Sequence, residues 1–108
     1  MLMVYVASPF SEGDRQGNVE RQNAMANVLL NEGYLPFSPL IMGDAMEQMQ
    51  PRMWEEWMEA CYGWLSRCDA LLRLEGESVG ADLEMKEAAR LGIPIVFNVA
   101  ELQALEGQ

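Results

Sequence analysis

Four short apolar runs alternate along this chain with longer stretches whose apolar residues recur at helical spacing. The first run, Leu2-Met3-Val4-Tyr5-Val6-Ala7, is nearly continuous and stops at Ser8-Pro9, the pattern of a strand buried on both faces of a parallel sheet. Residues 8–17 read as a loop from their Gly, Pro and Ser content, Asn18 as an N-cap, and residues 19–31 as a helix closed by Glu32-Gly33. Residues 34–38 give a second strand, placed at a sheet edge because Pro36 has no N–H to offer a ladder. Residues 40–52 contain Met42, Met46 and Met49 but no strong period. With Pro51 as a first helical residue, Trp54, Trp57, Met58, Cys61, Trp64, Leu65 and Cys68 then form one amphipathic stripe. Residues 69–74 are a third strand and 79–91 a helix, with Gly92 as its left-handed cap and Pro94 just beyond. Residues 93–99 are a fourth strand and 100–105 a terminal turn or two of helix.

The resulting β-α-β-α-β-α-β-α order predicts a single α/β domain over residues 1–108. The expected architecture is three-layer and flavodoxin/Rossmann-like, with about four parallel strands, right-handed crossovers and helices on both faces. With strand order 2-1-3-4, ligands fall beyond the carboxyl ends of the first and third strands, where the order reverses. The loops at that place are residues 8–17 and 75–80, the two stretches richest in Gly, Ser and Asp.

Charge narrows the partners. Seventeen acidic against seven basic residues give a net charge of −10, which repels a DNA or RNA backbone. No nucleic-acid polymer is expected, although local N–H groups and an arginine can hold a small anionic metabolite. There is no histidine, so an imidazole base and the common zinc constellations are excluded, and neither a metal nor another cofactor is expected. Carboxylates, tyrosine, serine and cysteine remain. Cys61 and Cys68, seven apart on what reads as one helix, lie ~10 Å apart and cannot pair. No apolar run approaches the ~18 residues of a membrane span, and no leader pattern precedes the first strand, so the expected location is cytoplasmic with no membrane partner.

Chemistry concentrates at one helix start. Ser78 opens the helix with Gly80 close behind, so free N–H groups and a hydroxyl can face one anion. Glu84 follows ~9 Å further along the axis, its side chain leaning back toward the crevice. The plainer alternative makes Ser78 a simple cap, Gly80 a packing glycine and Glu84 a solvated residue. Arg15 and Asn18 can hold a phosphate or sugar hydroxyls, or Arg15 can simply balance Asp14. Tyr5 is either a core aromatic or a phenol that orients a carboxylate. Trp54, Trp57 and Trp64 exceed what the core of so small a domain needs, which predicts a homo-oligomer through the helix over 51–68. The methionines between 42 and 53 read as a flexible lid or as adaptable filler at that interface.

Taken together, Val4-Tyr5-Val6-Ala7-Ser8-Pro9, Gly33-Tyr34, Phe37-Ser38-Pro39, Cys68-Asp69-Ala70-Leu71 and Ser78-Val79-Gly80-Ala81-Asp82-Leu83-Glu84 through Leu91-Gly92-Ile93-Pro94 resemble the nucleoside 2-deoxyribosyltransferase superfamily over roughly residues 3–98. The chain looks most like its short bacterial and phage members. The Ser-x-Gly-x-x-x-Glu spacing is similar to that of the deoxynucleoside monophosphate N-glycosidases. The resemblance implies cleavage of the N-glycosidic bond of a small nucleoside or nucleotide, by hydrolysis or by deoxyribosyl transfer. It makes Glu84 the nucleophile, Tyr5 its orienting partner, and Ser78 and Gly80 a 5′-phosphate or 5′-hydroxyl site. Ser8 then touches the same sugar or phosphate, and Asn98 joins the expected substrate-binding set.

One position departs from the family pattern. Eight residues before Asp69, where the family places an aspartate at the base, this chain has Cys61. A thiol in the substrate-binding set leaves a second reading open, a nucleotide-binding or sensing module that keeps the pocket without turnover. A third reading is a structural partner associating through the tryptophan helix.

Overall fold

The computed structural model describes residues 1–10 and 12–107. Its elements run β1 (Met3–Ala7), α1 (Arg15–Asn31), β2 (Leu35–Phe37), α2 (Pro39–Met49), α3 (Trp54–Leu65), β3 (Ala70–Arg73), α4 (Val79–Leu91), β4 (Ile95–Val96) and α5 (Val99–Glu106). The four strands pair in parallel in the order β2-β1-β3-β4, as expected from the alternation. Pro36 does lie on an edge strand, opposite Val4.

The period of two along β1 separates two cores. Val4 and Val6 pack with Leu29 of α1 and Leu102 of α5 on one face. Tyr5 and Ala7 pack with Leu65 of α3 and Ala81 and Ala88 of α4 on the other. β1 and β3 are buried along nearly their whole length, which is why their sequences read as continuous apolar runs.

Three expectations are corrected. First, α1 begins at Arg15 with Asp14 at the N-cap position, so Asn18 is inside the helix. The Asn18 side chain turns back to donate to Phe10 O (3.0 Å) and Glu12 O (2.9 Å), tying the loop to the helix instead of capping it. Gly17 belongs to the helix because Asp14 folds over it, its Oδ2 only 2.7 Å from where a Cβ would stand. Second, a helix not foreseen fills residues 39–49. Ser38 caps α2 by accepting from Ile41 N, and Pro39 occupies its first turn. Third, α3 starts at Trp54 and ends at Leu65, so Pro51 precedes it and Cys68 lies beyond it. Cys61 and Cys68 therefore do not share one helix. Both cysteines are free.

α4 matches its expected bounds. Ser78 Oγ accepts from Ala81 N at 3.0 Å, and Gly92 closes the helix at φ 75°. A left-handed residue costs glycine little, which is why Gly92 marks this end so clearly.

Candidate active site

The loops after β1 and β3 meet at the carboxyl edge of the sheet. Gly76, at φ 122°, lets the β3 loop approach so closely that a Cβ there would stand 2.6 Å from Pro9 Cγ. Arg21 Nη2 joins them again by donating to Glu75 O at 2.8 Å. Beside this junction opens a cleft of about 310 Å³, with Ser8, Phe10 and Arg15 from the first loop region and Gly80, Ala81 and Glu84 from α4. Its third wall comes from α2, the link after it and α3, including Glu47, Arg52, Trp54, Trp57 and Cys61.

Glu84 is 6 % exposed and accepts a short hydrogen bond from the Tyr5 hydroxyl, Tyr5 being fully buried. Burial pushes the Glu84 carboxyl up from 4.5 to about 7, against the Tyr5 hydrogen bond and the nearby Arg73 charge, which hold it down. Burial first and the Glu84 charge second push the Tyr5 phenol well above its ordinary value, so it remains a donor. The Cys61 thiol is likewise pushed up to about 11, mainly by burial and then by Glu84. At neutral pH it is a protonated, weak donor. Together these groups make a carboxylate that is poorly solvated, oriented, and ionisable near neutrality, as a nucleophile at an electrophilic carbon requires.

Arg73, at the end of β3, fixes the second loop. Its guanidinium donates to Leu74 O and Gly76 O and reaches Asp82 Oδ1 at 3.3 Å. The Leu74 and Gly76 carbonyls are thereby turned toward Arg73. Ala81 N is held by Ser78 Oγ and Asp82 N by Ser78 O; Gly80 lies on the cleft wall.

The expected site residues therefore divide. Tyr5 and Glu84 are in contact, and Glu84, Cys61, Ser8, Arg15 and Gly80 share the cleft wall. Ser78 is the α4 cap and is not itself on the cleft wall. Arg15 is engaged by Asp44 of α2 (3.0 and 2.8 Å) and lies over the Phe10 ring, so much of its charge is neutralised. Asn18 is committed to the loop carbonyls. Asn98 caps α5 through Glu101 N at 2.8 Å and is not on the cleft wall. The tryptophans also separate, Trp54 and Trp57 to the cleft and Trp64 against Phe37 in the core, with ring centroids 5.2 Å apart.

Among the cleft residues with no counterpart in the sequence candidates are the polar Gln22, Glu47 and Arg52 and, as a ligand wall, Trp57. Gln22, 1 % exposed, donates to Ser8 Oγ at 2.8 Å and accepts from Ser38 Oγ. Asn18, Gln22, Met25 and Leu29 continue one buried stripe at spacings of four, three and four, a signal visible in sequence once amides are counted with apolar residues. Glu47 Oε2 accepts from Trp57 Nε1 at 2.5 Å and from Arg52 N at 3.1 Å, a clamp between α2 and α3 with no helical or strand period to betray it.

Residues 2–98 match a family described as a domain of unknown function, DUF7768. The chain belongs to the DUF7768 family. No curated protein matches it. Among solved structures, this DUF7768 chain is similar to a 2-deoxyribosyltransferase from the psychrotolerant bacterium Bacillus psychrosaccharolyticus, at 21 % identity and a TM-score of 0.58, over 86 % of this chain and 69 % of that one. That likeness establishes a shared fold. Among the described residues of the DUF7768 chain, no helix is long and apolar enough to cross a membrane, and no three His, Cys, Asp or Glu side chains gather as a metal site.

Proposed function

We propose that this protein cleaves the N-glycosidic bond of a small nucleoside or nucleoside monophosphate, with Glu84 as nucleophile. The observation that carries the reading is the buried Tyr5–Glu84 pair at the wall of an open cleft. The shared fold with a 2-deoxyribosyltransferase and the Ser78-to-Glu84 spacing support it.

A Glu84 oxygen attacks the anomeric carbon as the bond to the base nitrogen breaks, and that bond's electron pair leaves with the base. The product is a glycosyl ester on Glu84. Tyr5 keeps the carboxylate aimed, and its hydrogen bond favours the ionised form that attacks. Water then opens the ester in a hydrolase, or a second base opens it in a transferase, and Glu84 is released in either case. The α4 N-terminus at Ser78 and Gly80 takes the 5′-oxygen or phosphate, and Ser8 the sugar. Pure protein incubated with deoxynucleosides and their monophosphates should release free base, followed by chromatography. Undiminished release by Glu84→Ala would remove the proposed role.

A second reading rests on Cys61. Its protonated thiol stands where the resembled family has an aspartate, which favours a nucleotide-binding module without turnover. Calorimetry decides between the two: binding without base release, unaltered by Cys61→Asp, identifies the sensor. We also propose a homo-oligomer through α3, supported by the exposure of Met53 (65 %) and Trp54 (52 %) at its start. A monomeric mass at micromolar concentration, measured by light scattering, would contradict it.

A further inference from the structure

α3 offers a ruler along the cleft. Cys61 lies beside Glu84, and Trp54 is seven residues toward the N-terminus, about 10 Å along the axis. A sugar placed at Glu84 thus sets its base against Trp57, Arg52 and Glu47. An attacking oxygen and its leaving group lie on opposite sides of the reacting carbon, so the same wall receives the base in an in-line displacement.

The polar groups on that wall have a defined sense. Glu47 Oε2 is occupied by Trp57 Nε1 and Arg52 N, whereas Oε1 has no partner among the described residues. Arg52 lies over the Trp57 ring at 5.4 Å and uses Nη1 on Gln50 O. It makes no ion pair with a carboxylate among the described residues. The wall therefore presents an acceptor, Glu47 Oε1, beside the guanidinium donors of Arg52, which itself covers the Trp57 ring.

Resting on the reaction proposed above, we propose that Glu47 and Arg52 select a base whose outer edge carries an amino group beside a bare ring nitrogen, as in adenine and cytosine. The amino group donates to Glu47 Oε1 and the ring nitrogen accepts from Arg52. An oxo base such as hypoxanthine or uracil presents the reverse order, placing a carbonyl oxygen against the carboxylate. Glu47→Gln inverts the sense of the wall. Trp57 Nε1–H and Arg52 N–H both need an acceptor, so the Gln carbonyl turns to them and its NH₂ faces the cleft.

The test is a set of dissociation constants on the Glu84→Ala protein, where turnover cannot distort binding, for dAMP against dIMP and dCMP against dUMP. The amino member of each pair should bind about tenfold tighter or more, and Glu47→Gln should abolish or reverse that ratio. The ratio before Glu47 is altered tests the proposal even if the variant does not fold. Equal or oxo-favoured binding would overturn the selection while leaving the reaction standing. Amino-selective binding that depends on Glu47, with no base released by the wild-type protein, would sink the reaction and sustain the selection. No binding and no release would end both.

Discussion

The two walls of the cleft are built on opposite principles. The α4 wall is dry: Glu84 and Tyr5 are sealed at the sheet edge, and burial sets their chemistry. The α2–α3 wall is wet, with Arg52, Trp57 and Glu47 half-buried and held by hydrogen bonds that span separate segments. One wall changes what a group is, by moving its ionisation. The other changes what a group offers, by occupying one oxygen and leaving its neighbour. Reactivity and selectivity can therefore be altered separately.

The largest effect that would sharpen this division comes from Glu84→Gln. Base release should fall about 10³-fold or more, as for other lost nucleophiles, measured by product chromatography. The same variant should be more stable than wild type at pH 8. A carboxyl raised from 4.5 to about 7 holds its proton longer folded than unfolded. Its stabilising contribution is complete below pH 4.5 and lost as pH climbs through about 7. The loss is on the order of 3 kcal/mol. Melting curves of both proteins should thus converge below about pH 5 and separate above pH 7; parallel curves at all pH values would break the dry-wall account.

Next in size is the acid limb of the wild-type pH–rate profile. In the proposed reaction the ionised Glu84 attacks, so kcat/KM should fall about tenfold per unit below pH 6 and level off above pH 8. Tyr5→Phe removes the hydrogen bond that holds this carboxyl down. The limb should move to higher pH and the rate at pH 7 drop roughly tenfold. The smallest effect belongs to the other wall. Trp57→Phe removes one of the two donors that hold Glu47 Oε2 and should weaken nucleotide binding several-fold by calorimetry, on the scale of one lost hydrogen bond, while the acid limb stays in place. A shifted limb in this variant would show the walls to be coupled.

The same division governs what could be read from the sequence. The dry wall is nearly all legible. β1 and β3 announce themselves as continuous apolar runs, and α4 is bracketed by Ser78 and Gly92, residues whose side chain and left-handed backbone have local causes. The carboxylate's place in the crevice then follows from helical rise alone. The wet wall is hidden because its contacts cross from one element to the next, outside any helical or strand period. α2 buries only Pro39, Leu40 and Gly43, too few to impose a period, and its other apolar residues face outward. Its start was nonetheless signalled by Ser38-Pro39, a cap followed by a proline in the first turn. The Glu47–Trp57 bond joins two helices across ten residues and has no signature. α1 fails at its start for a related reason. Gly17 reads as a loop residue and Asn18 as a cap, yet one accommodates Asp14 and the other binds loop carbonyls from within the helix.

The buried amide of Gln22 has a directional consequence. Ser38 Oγ accepts from Ile41 N and donates to Gln22 Oε1, and Gln22 Nε2 in turn donates to Ser8 Oγ. In this arrangement every link runs the same way, from Ile41 N through Ser38 Oγ and the Gln22 amide to Ser8 Oγ. Ser8 Oγ thus reaches the cleft already accepting from Gln22 Nε2, with its own hydrogen engaged only by Pro9 O at 3.5 Å. The polarity of a helix cap at Ser38 is handed through the interior to a different loop, so that what Ser8 can extend to a sugar or phosphate oxygen is a proton.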